Sequence, residues 1–188
     1  MSLKDPNVLN PNAKKRIAIV IANPAVSSTT GWPVGFWWSE LTHPYHVFTE
    51  AGYEVDLFSP NGGPCEADAM SDPNDPSGSS KTDLISAAVL AYAKGADGKL
   101  IAKGKTVTGF ANCEEDYADN AVWNYGLLPR DKHVMPWRIE DRLKAIGANY
   151  VQAGLWRSFA VRDGNLITGQ LNFSGEETAR LVVEALGR

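Results

Sequence analysis

Apolar and polar positions follow one another along this 188-residue chain in blocks whose spacing predicts their secondary structure. KRIAIVIANP (15–24) is a continuous β-branched apolar run closed by Asn-Pro, the pattern of a strand buried on both faces of a parallel sheet. In FWWSELTHPYHVFTEAG (36–52), Trp38, Leu41, Tyr45 and Phe48 recur at helical spacing and Gly52 stands where a helix would end. Pro44 inside that pattern predicts a kink. YEVDLFSP (53–60) reads as a second buried strand, so 15–60 forms a βαβ unit with a right-handed crossover.

The next block, 61–80, is rich in Gly, Pro, Ser and Asp and reads as a long surface loop. DLISAAVLAYAKG (83–95) reads as a short helix capped by Asp83 and closed by Gly95. KTVTGFAN (105–112) has the pattern of a strand, and EEDYADNAVWNYGLL (114–128) is irregular or helical. MPWRIEDRLKAIGANYVQ predicts a helix over about 137–146, a Gly147 cap and a strand. WRSFAVRDGNLITGQ (156–170) is a hairpin pattern with an Asp163-Gly164 turn. SGEETARLVVEALG (174–187) is an amphipathic helix in which Ser174 and Glu177 fit a capping box. No internal repeat or low-complexity tract interrupts this series, and its class is α/β.

Composition narrows the function. Hydrophobic residues make up 44% of the chain, enough for a sizeable core. A net charge of -4 argues against a general nucleic-acid binder, which needs a basic face. MSLKDPNVLNPNAKK has no apolar core of a secretory leader, and no apolar run approaches the ~18 residues of a membrane span. Two cysteines, Cys65 and Cys113, are too few for a disulfide framework and fit no zinc spacing. The expected setting is reducing and cytoplasmic.

The frames GFWWSELTHPYHVFTEAGYEVDLFSPNGG, SDPNDPSG, LIAKGKTVTGFAN with the EED that follows, PWRIEDRLKAIGANYV and W-SFAVRDGNLITGQ resemble, in that order, the ThiJ/PfpI superfamily. The resemblance covers nearly all of 15–187 and is nearest the branch of heat-shock chaperones and glyoxalase III enzymes, whose class I glutamine-amidotransferase-like relatives include amidases and peptidases. It implies a flavodoxin-like three-layer α/β sandwich with a mainly parallel sheet, as one domain over 15–188 behind a 1–14 arm. It also implies cofactor-independent chemistry on small reactive aldehydes such as methylglyoxal. In the family a cysteine on a strained strand-to-helix turn is the nucleophile, and a glutamate on the first helix is its proton partner.

Residue by residue, the resemblance carries the glutamate onto Glu40, in the frame Trp-Ser-Glu-Leu-Thr-His-Pro. The nucleophile has no counterpart, because neither Gly-Gly-His-Gly nor Cys-His-Gly occurs in the chain. DLIS resembles family sequence well before the nucleophile, and AAVLAYAKG resembles family sequence just after it. The chain therefore reads as two family pieces joined near 84–87, without about two βα units, roughly 60 residues at ~30 per unit. Strands of the second half must then pair with the first strand or with another chain, and a homodimer formed by domain exchange is one solution. The implied partners are a small aldehyde or unfolded client proteins.

Glu40 is the foremost catalytic candidate. Cys113 is a weak substitute nucleophile, since the acidic Glu114, Glu115 and Asp116 that follow should raise its pKa. Cys65 lies in a Gly-Pro loop beside Glu66. His43, His46 and Glu50, at i, i+3 and i+7, are weak metal candidates whose geometry Pro44 disturbs, and solvated surface residues are the alternative. His133, in RDKHVMPW, has no partner evident in the sequence. The six tryptophans fit core packing, and Asp68, Asp72 and Asp75 fit a solvated loop better than a calcium site. An intact-mass measurement tests the join: contiguity of Leu84-Ile85-Ser86-Ala87 gives 20.4 kDa, and a mass several kilodaltons larger restores the absent units.

Overall fold

The computed structural model describes residues 15–23, 26, 31, 35–68, 71, 91–95, 97–135 and 137–187. The 1–14 arm, the Asp83 cap and the join near 84–87 lie outside the described residues. The chain is a mixed α/β protein that divides into two compact units, one of 1–81 with 175–188 and one of 82–174.

In the first unit, β1 (Arg16–Val20) pairs in parallel with β2 (Glu54–Phe58), in register from Arg16 opposite Glu54 to Val20 opposite Phe58. Helix α1 (Trp38–Glu50) is the crossover, so the βαβ unit is present as its periodicity predicts. The helix continues through Pro44 as one element. It ends as its glycine requires: Gly52 takes φ +78, and the Tyr53 N–H donates to the Phe48 carbonyl. A second helix closes this core. The helix Gly175–Ala185 and the Leu186 after it pack Ala179, Val182, Val183 and Leu186 in one cluster with Phe48, Tyr53, Ile17 and Ile19. A methyl group at Gly175 would meet the Ser39 carbonyl at 3.4 Å and Pro44 Cδ at 3.5 Å, so glycine there permits the close approach.

The expectation of strands buried on both faces is corrected. Burial along β1 alternates, and Val20, Leu57 and Phe58 are exposed. The physical reason is that, among the described residues, β1 and β2 form a sheet of two strands only. One face is packed on helix, and among the described residues no layer covers the other.

In the second unit, β3 (Thr106–Val107) pairs in parallel with β4 (Asn149–Tyr150). Their crossover contains α2 (Asn112–Asn124) and α3 (Ile139–Ala145). The helix Gly175–Ala185 of the first unit is therefore α4 in chain order. Beyond Val107 the chain leaves the ladder, so β3 is shorter than the strand pattern of 105–112. Thr108, Gly109 and Phe110 nevertheless stay buried, and the Thr108 N–H donates to Thr168 Oγ1 at 2.9 Å. Ala102, Val107, Phe110, Ile139, Leu143 and Leu171 form the core.

The hairpin β5 (Ala160–Asp163) and β6 (Leu166–Gly169) pairs Asp163 with Leu166. Its two-residue turn is thus Gly164-Asn165, one place beyond the predicted Asp163-Gly164. Gly164 takes φ +66, the first central position of a II′-type turn. Asp163 is used otherwise: it accepts from the Thr106 N–H at 2.8 Å and from Lys105 Nζ at 3.0 Å, which hold its carboxyl below the usual range. The Ser174 hydroxyl, just before α4, accepts from the Phe159 N–H at 3.1 Å and the Leu171 N–H at 3.3 Å.

A buried carboxylate ties these parts together. Glu114 is fully buried in the first turn of α2. Oε2 accepts from the Ala111 N–H at 2.8 Å, while Oε1 accepts from the Trp156 N–H at 3.1 Å and Gln170 Nε2 at 2.9 Å. Gln170 is itself satisfied, donating to the Gly154 carbonyl and accepting from the Ala153 N–H, both at 2.9 Å. Trp156 has φ +55, a left-handed conformation that costs about 1–3 kcal/mol. Glu114 and the edge-on rings of Phe110 and Tyr117 hold it there. Glu114→Ala would strand two buried donors, the Ala111 N–H and Gln170 Nε2, and the part-buried Trp156 N–H. It should lower unfolding free energy by roughly 3 kcal/mol in guanidinium denaturation followed by tryptophan fluorescence. A loss below about 0.5 kcal/mol, typical of a surface change, would contradict this account.

Candidate functional site

Glu40 lies half-buried in the first turn of α1. The turn is anchored from outside the helix. Phe36 bridges to Ala67, and the Trp38 N–H donates to Ser71 Oγ at 3.0 Å, which in turn donates to the Asp68 carbonyl at 2.9 Å. Phe36 and Trp38 meet edge to face at 5.3 Å. Trp38 Nε1 and Ser39 Oγ are buried and have no hydrogen-bond partner among the described residues. Two polar atoms that could serve a ligand therefore belong to the residues just before the predicted carboxylate in sequence.

The surroundings of the thiols do not favour nucleophilic work. Cys113 is exposed at the second position of α2. Its pKa is raised, first by desolvation and then by the Glu114 charge, against the lowering effect of the helix N-terminal N–H groups. Cys65 lies in the loop after β2, with Asn23 Nδ2 3.7 Å from its sulfur.

His43, His46 and Glu50 share one face of α1 and line a cleft of about 230 Å³ with Val47, Glu176 and Arg180. His46 Nε2 stands 3.3 Å from Glu50, and Arg180 pairs with Glu176 at 2.8 Å. These are exposed i,i+4 pairs, the solvated-surface alternative. Among the described residues, no three His, Cys, Asp or Glu side chains converge to hold a metal ion.

The densest charged cluster went unnoticed in the sequence. On α2, Glu115 and Asp119 are both buried. Arg138 reaches them from the start of α3, with Nη2 3.0 Å from Asp119 and 2.7 Å from Asp116, and Nη1 3.8 Å from Glu115. His133 has the partner its sequence neighbourhood did not reveal: Nδ1 lies 2.7 Å from Asp119 Oδ2. Glu115 Oε1 accepts from the Ile139 N–H at 3.3 Å, while Oε2 is buried with no hydrogen-bond partner among the described residues. The only available signal was spacing: Glu115 and Asp119 are i,i+4 on α2.

Burial, only partly opposed by the Ile139 N–H and Arg138, raises the Glu115 pKa from the ordinary 4.5 to about 7. A carboxyl with a raised folded-state pKa favours folding at low pH and loses that advantage as pH rises from about 4.5 through about 7. Glu115→Gln, which carries no charge, should therefore be more stable than the parent at pH 8 by about 1–3 kcal/mol, with the gap closing toward pH 4.5. Parallel stability curves for the two proteins would refute the assignment.

Comparison with known proteins agrees with the architecture. No protein-family model matches the chain, and no curated protein matches it in sequence. Among solved structures, the protein designated APC35852 is 30% identical, with a TM-score of 0.72 over 93% of this chain and 98% of that one. The Rapid Encystment Protein 24 kDa of Francisella tularensis is 22% identical, with a TM-score of 0.70 over 93% and 100% of the two chains. Glyoxalase III of Candida albicans is 18% identical, with a TM-score of 0.62 over 92% and 97%. Among the described residues no helix is long and apolar enough to cross a membrane. The chain belongs to one family with APC35852, and it shares the flavodoxin-like fold of glyoxalase III, the fold of the ThiJ/PfpI superfamily.

Proposed function

We propose that this member of the ThiJ/PfpI superfamily is related to the cofactor-independent enzymes of the glyoxalase III type, which act on small reactive aldehydes such as methylglyoxal. In this reading it keeps the carboxylate half of their machinery without the thiol half. The observation that carries the reading is Glu40, half-buried at the head of an anchored helix in the family frame Trp38 to Pro44. A carboxylate so placed can move a proton between neighbouring carbons of a bound substrate. The step before it needs a thiolate to add to the aldehyde carbon and give a hemithioacetal. Cys113, exposed and with its pKa raised, supplies little thiolate at neutral pH.

A second reading has its own observation. Val20 and Phe58, paired across the two strands and 66% and 54% exposed, form apolar surface on the β1–β2 sheet. Such surface suits a non-catalytic holdase that binds unfolded clients, or a homodimer. The proposed setting for either reading is the cytoplasm.

Incubation with methylglyoxal should yield lactate no faster than buffer alone, unchanged by Glu40→Gln or by replacing both cysteines with serine. Turnover that requires either cysteine would restore a thiolate enzyme. Turnover that requires Glu40 and survives loss of both thiols would sink the thiolate account. Absent turnover together with suppressed aggregation of a heat-unfolded client favours the holdase reading. Size-exclusion chromatography with light scattering reads the oligomeric state, and a clean monomer counts against domain exchange.

A further inference from the structure

The imidazole of His133 is held on two sides. Nδ1 lies 2.7 Å from Asp119 Oδ2, and the Trp123 indole stands beside the ring, with centroids 5.6 Å apart. Both holders are themselves fixed. Asp119 is 2% exposed; its Oδ1 accepts from the Val134 N–H at 2.8 Å and its Oδ2 from Arg138 Nη2 at 3.0 Å. Trp123 Nε1 donates to the Lys132 carbonyl at 2.6 Å. The residues on either side of His133 are therefore tied to α2, the helix that carries Asp119 and Trp123.

A carboxylate oxygen that already takes Arg138 only accepts, which puts the proton of the neutral ring on Nδ1 and makes Nε2 its lone-pair nitrogen. The side chain is 51% exposed, and among the described residues Nε2 makes no hydrogen bond. The other two histidines described lack this support. His46 meets Glu50 through Nε2 and both are exposed, and no buried carboxylate stands at His43 among the described residues.

We propose that Asp119 and His133 form a second reactive site, in which His133 Nε2 is a catalytic nucleophile toward small uncharged acyl donors such as aryl esters and Asp119 is its positioning residue. This chemistry needs neither Glu40 nor a thiol. The surroundings select the donor. Arg138 is taken up by Asp116, Asp119 and the Asn112 carbonyl, so it offers no free guanidinium to an anionic phosphoryl group. The neighbour of the imidazole is an indole, which suits a flat, uncharged aryl group.

The Nε2 lone pair bonds to the ester carbon, and the carbon–oxygen bond breaks with its pair leaving on the aryloxide. The acylated ring is then a cation, and the Asp119 carboxylate at Nδ1 offsets its charge. Water adds to the acyl carbon, the Nε2–carbon bond breaks with its pair returning to nitrogen, and the surplus proton of the water passes to the aryloxide. The products are the carboxylic acid and the phenol.

Two measurements on the full chain test the site. Diethyl pyrocarbonate, an uncharged acyl donor, followed by peptide mass mapping, should label His133 about tenfold faster than His43 and His46. Asp119→Asn should abolish that preference and Asp119→Glu should recover it. A carboxylate that only held the loop in place would give the opposite sign, since releasing the loop exposes His133 further and speeds its labelling. Steady-state release of p-nitrophenolate from p-nitrophenyl acetate should fall at least about tenfold in His133→Gln. Equal labelling of the three histidines in the parent, faster labelling of His133 in Asp119→Asn, or ester hydrolysis that survives His133→Gln overturns the proposal.

Discussion

The second unit is organised around the burial of one carboxylate. Glu114 has no solvent exposure, and taking a charge out of water is tolerated only where hydrogen bonds replace hydration. Here the replacement comes from three separate segments: the Ala111 N–H that begins α2, the Trp156 N–H in a left-handed turn, and the Gln170 amide after β6. Burial pushes the carboxyl up and these donors pull it back. Each donor fixes one segment, so the helix start, the turn after β4 and the end of the hairpin are positioned by a single side chain. Gln170 extends the network to Gly154 and Ala153 without leaving an amide atom unsatisfied.

The adjacent residue works in the opposite way. Glu115 is as well buried but less well supplied, with one N–H donor at 3.3 Å and a guanidinium at 3.8 Å. Successive helix residues point about 100° apart, so consecutive acids face different partners. Glu114 meets Gln170 and Trp156, whereas Glu115 meets Arg138 and a small cavity it lines with His133 and Val134. The difference in donor supply decides which carboxylate is a fixed anchor and which can exchange a proton near neutrality. Two identical side chains thus acquire separate roles through their surroundings.

Sequence pattern revealed what period and punctuation encode. The βαβ unit, the Gly52 and Gly147 helix ends, the hairpin and the terminal amphipathic helix follow from apolar spacing and glycine placement. What escaped depends on partners distant along the chain. Asp163 looked like a turn residue because Asp-Gly commonly is one, but Thr106 and Lys105, nearly 60 positions away, claim its carboxylate. Ser174 read as a local cap gave no hint that its hydroxyl also accepts from the Phe159 and Leu171 N–H groups. His133 seemed isolated because Asp119 lies 14 residues before it, across a helix end and a loop. Of the candidate site, Glu40 was legible through its frame. The orphaned Trp38 and Ser39 atoms beside it in sequence were not, since orphaning is a property of packing.

The chemistry left to Cys113 follows from the same anchor. A thiol at the second position of a helix would ordinarily gain from the N-terminal N–H groups, and those groups do lower its pKa. Partial burial works against the thiolate, and so does Glu114 next in the chain, whose three donors favour its ionised form. Moving the cysteine elsewhere in the first turn would leave it close to that carboxylate. Removing the carboxylate would release the thiol but strand the donors of Ala111, Trp156 and Gln170. The interaction that holds the second unit together is therefore one that disarms its thiol, and an active nucleophile here would require a different anchor for α2.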